Sequence, residues 1–187
     1  VTDPAHFEEL YAASDDPWQL AERVYERRKF DLTVASLPRD RYAHAFEPGC
    51  SIGVLTQLLA TRCDRVLATD PAAPLDEARR RVPDASVRFE RSGVPHEWPD
   101  DRFDLIVLSE LLYYLDEAQR HDVLAHCLET LLPDGHLVLV HWRHPFDLAT
   151  CRGDEAHHEF TSHREVRTLV SHVEDDFRLE VLERVGG

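Results

Sequence analysis

The residues with chemistry to offer gather first in the run Phe46-Glu47-Pro48-Gly49-Cys50-Ser51-Ile52-Gly53. A short apolar stretch leads into it and a helical pattern leads out. Glycines in a strand-to-helix turn let the backbone approach a ligand closely and make the tight reversal. A dinucleotide-binding turn would need glycine at positions 49, 51 and 54. The chain has Gly49, Ser51 and Val54, so that fingerprint fails. A second carboxylate, Asp70, closes the next apolar stretch, 21 residues after Gly49. A carboxylate there can accept hydrogen bonds from the two hydroxyls of a ribose. Lys29 is the only lysine. A phosphate loop that sets a lysine beside its glycines is therefore excluded.

A second group follows the later apolar runs: Ser109, Glu110, Tyr113, Tyr114, His141, His144 and Asp147. Carboxylate, phenol and imidazole side chains at such edges serve as general bases or orient a nucleophile. The chain holds 12 histidines, and His141, His144, His157 and His158 lie near Asp147, Asp154 and Glu155. Imidazole and carboxylate suit divalent ions. His141-x-x-His144 at a strand end lacks the i, i+4 spacing of a helical zinc pair, so no metal site is expected.

These side chains need a frame. Helical patterns cover 7–13 and a longer run that opens at Asp16-Pro17, with Asp as cap and Pro in the first turn, and ends before Pro38. From residue 43 short strands alternate with helices: strands at 43–47, 65–69, 86–90, 103–109 and 136–142, helices at 54–61, 75–81 and 116–132. The near-continuous apolar core of 103–109 reads as a strand buried on both faces. That alternation predicts βαβ units and a doubly wound parallel sheet. Beyond 162 the period changes to two: 166–171 and 177–185 alternate across a polar Glu174-Asp175-Asp176 turn, which predicts an antiparallel hairpin. Residues 143–162 read as a loop or short helix over the carboxyl edge of the sheet, where open α/β proteins place ligands.

The acidic residue before the turn, the spacing Glu47-x-Gly49-x-x-x-Gly53 and the carboxylate at 70 are similar to the first motifs of class I S-adenosylmethionine methyltransferases. Together with Tyr25-Glu26-Arg27-Arg28-Lys29-Phe30, Val54-Leu55-Thr56 and Glu110-Leu-Leu-Tyr-Tyr-Leu115, the chain resembles the nodulation-protein-S-like methyltransferases. The resemblance covers most of 15–142. It implies a Rossmann-like seven-stranded, mostly parallel sheet with the hairpin as its antiparallel edge. It implies a single domain, 1–187, with 1–38 as a helical cap on a core of 43–187. The implied cofactor is S-adenosylmethionine, and the namesakes N-methylate the amino sugar of chitin oligosaccharides. By the same resemblance Gly49, Cys50 and Gly53 lie along the methionine part, Glu47 near its amino group and Asp70 at the ribose. Ser92 and Gly93 flank the adenine, Ser109 stands at the seam with the acceptor, and Arg28 or Arg27 meets the cofactor carboxylate. Glu110, Tyr113, His141 and His144 are the candidate catalytic groups. Ser92 stands where most such enzymes have aspartate, and Trp18 and Tyr25 are candidate lid residues.

Composition narrows the partners. The 187 residues carry 36 acidic against 21 basic side chains, a formal charge of −15. That surface repels nucleic acid and anionic lipid. No apolar run approaches the roughly 20 residues of a membrane span. The first residues lack a leader pattern, and four cysteines form no CxxC pair, which together read as a cytoplasmic protein with reduced thiols. The expected partner is a small polar methyl acceptor with an amine or hydroxyl, and the expected state is monomer or homodimer. Two further readings stand beside it: an NAD(P)-type oxidoreductase, and a cofactor-binding module without catalysis.

Overall fold

Consecutive apolar residues, rather than alternating ones, build the strands that carry the first group. The structure is a computed structural model that describes residues 4–186, and it divides after Gly93 into two compact units. The first unit holds α1 (Pro4–Ala13), α2 (Val24–Ala35), β1 (Ala45–Pro48), α3 (Val54–Ala60), β2 (Val66–Thr69), α4 (Leu75–Arg81) and β3 (Val87–Glu90). β1 and β2 pair in parallel from Ala45 opposite Val66 to Pro48 opposite Thr69. β2 and β3 pair likewise from Val66 opposite Val87 to Thr69 opposite Glu90. Every residue of β1 and β2 is buried, as strands covered on both faces must be.

The helix expected to open at Asp16 begins instead at Val24. The Asp16 carboxylate does accept backbone N–H groups, from Leu20 at 2.8 Å and Ala21 at 3.0 Å. Gln19 then takes a left-handed φ of 58°, which closes the segment into turns before a helix can propagate. α2 stops at Ala35, short of Pro38, and the Arg62 guanidinium donates to the carbonyls of Val34, Arg39 and Asp40 around its end.

The second unit holds β4 (Phe103–Ser109), a 3-10 turn (Leu112–Tyr114), α5 (Glu117–Thr130), β5 (Leu131–Trp142), α6 (Gly153–Thr161), β6 (Val166–Val173) and β7 (Phe177–Arg184). β4 and β5 run parallel, with Leu105 opposite His136 and Ser109 opposite Val140. β5 and β7 are antiparallel, with His141 opposite Arg178 and Trp142 opposite Phe177. β6 and β7 form the expected hairpin, β7 inside and β6 mostly exposed. The strands are ordered β3-β2-β1 in the first unit and β4-β5-β7-β6 in the second, the seven-stranded, mostly parallel sheet with an antiparallel hairpin that the sequence predicts.

α5 is capped by Asp116, whose carboxylate accepts the Gln119 N–H at 2.9 Å while the Gln119 side chain accepts the Asp116 N–H at 3.1 Å. The helix ends at Thr130, earlier than expected, because Leu131 is already extended and pairs with Phe103. Pro133, Asp134 and Gly135 thus fall inside β5, and the register shift between Phe103 and Leu105 absorbs them. The stretch 143–162 forms turns and then α6. Arg120, 5% exposed, grips α6 through a two-pronged ion pair with Glu159, both bonds 2.8 Å, and also donates to the Leu115 carbonyl. Among the described residues no helix is long and apolar enough to cross a membrane.

α6 starts on a glycine because it lies against β5. A Cβ on Gly153 would fall 2.4 Å from the Trp142 carbonyl oxygen and 2.9 Å from the His141 Cβ. Gly153→Ala should therefore lower the unfolding free energy by about 1–3 kcal/mol, the usual cost of overpacking. A urea titration followed by circular dichroism checks this.

Candidate active site

In the first unit the turn after β1 is built almost wholly from unusual backbone. Gly49, Ser51 and Gly53 take positive φ values of 75°, 49° and 79°. Gly53 opens α3, and a Cβ on it would meet Ala78 and Phe89 at 3.3–3.4 Å, so left-handed φ and lack of room both select glycine. The Gly49 and Cys50 N–H groups donate to the Thr69 carbonyl at 2.7 and 3.0 Å, tying the turn to the end of β2.

Asp70 organises both turns. Its Oδ1 accepts the Ala72 and Ala73 N–H groups at 2.9 and 2.7 Å, and its Oδ2 accepts the Ser51 N–H at 3.1 Å. A carboxylate has about four acceptor positions, so three are filled and one remains on Oδ2. Burial raises the Asp70 pKa, while those three N–H donors and Arg91 pull against the rise. Arg91 brackets the turn after β2 by donating to the Pro71 and Ala73 carbonyls. Ser92 and Gly93 follow β3 half-buried.

Glu47, near the tip of β1, is 3% exposed and accepts the Thr56 hydroxyl at 2.6 Å. Burial pushes its pKa up to about 8, helped by the charge of Asp70 and resisted by Thr56. The Cys50 thiol is likewise held far above its ordinary value by burial and by the Asp70 and Glu47 charges. Tyr11 of α1 donates to the Ser51 hydroxyl at 2.7 Å and packs edge-on against Trp18 at 5.5 Å. Sequence patterning named Trp18 but missed Tyr11, because nothing local to 7–13 signals a partner 40 residues away. Arg28 lies on the exposed side of α2.

The second unit assembles its own group. Ser109 ends β4, and Glu110 turns the chain with a left-handed φ of 53°. The Glu110 Oε2 accepts the Tyr113 hydroxyl and the Trp142 N–H, the latter at 3.0 Å. The Tyr113 ring lies edge-on to Tyr114, Phe146 and His141 at 4.9–5.2 Å. Burial, then the Glu110 charge, raises the Tyr114 pKa. His141 is fully buried, and its Nε2 accepts the Leu111 and Leu112 N–H groups at 3.3 and 3.1 Å. The lone pair a base would use is therefore committed to the backbone. His144 is exposed and pairs with Asp176 at 2.9 Å, while Asp147 lies exposed on a turn. Among the described residues no group of three or more His, Cys, Asp or Glu side chains is placed to hold a metal ion. The four cysteines are free thiols.

The buried Glu47 yields a stability test. In the folded chain it keeps its proton up to about pH 8, whereas an unfolded glutamate loses it near pH ~4.3. Between those values the unfolded state binds fewer protons, so stability falls as pH rises. Glu47→Gln removes that loss. Each tenfold difference in proton affinity between the folded and unfolded states is worth about 1.4 kcal/mol, so the variant should be at least about 2 kcal/mol more stable than the native chain at pH ~8. The gap should close by pH ~4, where both states hold the proton, as read from denaturant titrations across the range.

The family model described as Nodulation protein S (NodS) matches residues 6–157. Nodulation protein S of Rhizobium tropici is 38% identical over 131 residues, 67% of this chain and 55% of that protein. Nodulation protein S of Bradyrhizobium diazoefficiens is 32% identical over 131 residues, 67% of this chain and 62% of that protein. The chain thus spans less than two thirds of the length of these relatives. Among solved structures, a protein from Pseudomonas syringae superimposes with a TM-score of 0.75 at 41% identity, covering 87% of this chain and all of that one. The N-methyltransferase NodS from Bradyrhizobium japonicum, solved in complex with S-adenosyl-L-homocysteine, superimposes with a TM-score of 0.81 at 24% identity. That match covers 97% of this chain and 98% of that one, and it shows the shared fold.

Proposed function

The chain belongs to the nodulation protein S family, and we propose that it is an S-adenosylmethionine-dependent methyltransferase. Its acceptor is the amine or hydroxyl of a small polar metabolite, with the amine of an amino sugar first. The observation that carries this reading is the glycine turn at 49–53 locked to Asp70. The residues present fit the cofactor. Left-handed Gly49 and Gly53 bare the backbone, the open position on Asp70 Oδ2 suits a ribose hydroxyl, and an ammonium set against Glu47 would compensate a buried carboxylate. Only one acceptor position is open on Asp70, so the second ribose hydroxyl has to be met by rearrangement of the Ser51 contact. Ser92 and Gly93 are read as the adenine edge and Ser109 as the neighbour of the acceptor. Arg28, on the exposed side of its helix, is read as the partner of the cofactor carboxylate.

Bound S-adenosylmethionine supplies an electrophilic methyl on a sulfonium whose charge is lost as the acceptor attacks. The protein's work is to orient the acceptor and keep water out, since alignment accounts for most of the rate in such displacements. An amine must be neutral to attack. Glu110, held rigid by Tyr113 and the Trp142 N–H, is read as the group that attracts the ammonium form and takes its proton. Tyr11 and Trp18 are read as part of the cover over the turn.

Calorimetric titration with S-adenosylhomocysteine and with NAD tests the cofactor. The first should bind and NAD should not; binding of NAD alone would sink the reading. Asp70→Asn preserves acceptance from Ala72 and Ala73, and it should weaken S-adenosylhomocysteine at least about tenfold through loss of one charged hydrogen bond. In a methyl-transfer assay on free amino sugars, Glu110→Gln should lower kcat/KM about 100-fold and leave cofactor affinity unchanged. Equal turnover by that variant would remove Glu110 from the chemistry.

A further inference from the structure

A buried chain of three titratable side chains in the second unit has no place in the chemistry above. His141 on β5, His157 on α6 and Glu180 on β7 are each no more than 2% exposed. His141 Nδ1 lies 3.0 Å from His157 Nε2, and His157 Nδ1 lies 2.8 Å from Glu180 Oε2. The other Glu180 oxygen accepts the Ser171 hydroxyl at 3.1 Å and the Arg178 guanidinium at 2.6 Å.

The direction of every bond in this chain is forced. Backbone N–H groups only donate, so His141 Nε2, which faces those of Leu111 and Leu112, must be bare. The single proton of His141 then sits on Nδ1 and is donated to His157 Nε2. That nitrogen is bare in turn, so the His157 proton sits on Nδ1 and is donated to Glu180. The glutamate is the anion that ends the sequence. Burial favours its neutral form, but the bonds from His157 and Arg178 outweigh that and hold its pKa below the usual range. Burial also holds the His157 pKa below the ordinary histidine value, which keeps that ring neutral as the chain requires.

The receiving end is the turn at residues 110–112. Its first residue, Glu110, holds a left-handed backbone that is unfavourable for a residue with a Cβ. The next two N–H groups open a 3-10 turn that has no capping side chain of its own, and Leu112 is fully buried. The buried Leu112 donor needs an acceptor from elsewhere, and the half-buried Leu111 donor points at the same one. We propose that His141, His157 and Glu180 form a positioning relay: the carboxylate fixes the tautomer of both rings, so that His141 acts as a permanent acceptor capping the Glu110 turn. His141 is thereby a positioning residue rather than a base. Its functional meaning rests on the reading of Glu110 as the group that meets the acceptor; its geometry does not.

The test reads the two apart. In a ¹⁵N-histidine-labelled sample, long-range nitrogen–proton spectra near neutral pH should show both His141 and His157 as neutral Nδ1–H tautomers. Amide hydrogen exchange of Leu111 and Leu112 should be slow in the native chain. In His141→Leu it should be about 100-fold faster, and in His157→Phe about tenfold faster, as expected when buried donors lose their acceptor or its support. His141→Gln carries an oxygen near the position of Nε2, and it should restore most of the protection and of the turnover. Cofactor affinity should be unchanged in all three variants. An Nε2–H or cationic His141 overturns the proposal, as does unchanged exchange in His141→Leu. Should His141→Leu fail to fold, the native tautomers and the His141→Gln exchange rates decide the matter. Expected tautomers and exchange rates with no turnover on any acceptor would count against the catalytic reading of Glu110 and uphold the relay.

Discussion

Two carboxylates buried at the tips of adjacent parallel strands set the terms for the first unit. Glu47 and Asp70 are 3% and 7% exposed, and the charge on Asp70 adds to the cost of charging Glu47. Folding tolerates Asp70 because three backbone N–H groups converge on it, and those same bonds shape the turns after β1 and β2. Glu47 has one neutral donor, the Thr56 hydroxyl, and keeps its proton instead. A pair of acids held this way is a poor device for stability and a good one for meeting a cationic, hydroxyl-bearing ligand. Of the left-handed residues at 49, 51 and 53 only Ser51 is not glycine, and its strained backbone is held by the N–H bond to Asp70.

The second unit follows a related logic with a different result. Glu110 is again a carboxylate at a strand end, but it is fixed by a phenol and one backbone N–H rather than by a cage of amides. Its turn is supported from behind by imidazole, and that imidazole is supported by another and by Glu180. A fully buried polar chain of this sort is admissible only when each donor and acceptor is matched, and here the backbone at one end and the anion at the other leave a single arrangement. The Arg120–Glu159 pair does comparable work for α6, holding the helix that bears His157.

Much of this was readable in advance. The glycine turn, the acid at the end of each of the first two strands and the βαβ order follow from local signals: turn residues at fixed offsets and a period that switches from helical to two. The terminal hairpin was legible for the same reason. The helix ends were not. Asp16 carries a true capping signal, yet Gln19 breaks the turn that follows, and Pro133-Asp134-Gly135 reads as a terminator but lies inside β5 because Leu131 finds Phe103 as a strand partner. The candidate side chains divide similarly. Asp70 could be singled out because its place at a strand end is a local fact. His141 could be named as a candidate catalytic group, but that its Nε2 accepts from the backbone was not legible, because what it touches comes from a turn 30 residues earlier.

What the amino-acid order determined by itself was therefore the periodic and the local: which stretches are strands, where glycine is needed, and which acids stand at strand ends. Only the tertiary structure decided the state of those groups. Whether a carboxylate keeps its proton, which nitrogen of an imidazole is bare, and whether Tyr11 meets Ser51 depend on neighbours brought in by packing from 9 to 40 residues away. Hydrogen-bond direction and desolvation belong to the packed environment, and no single stretch of chain carries that environment within it.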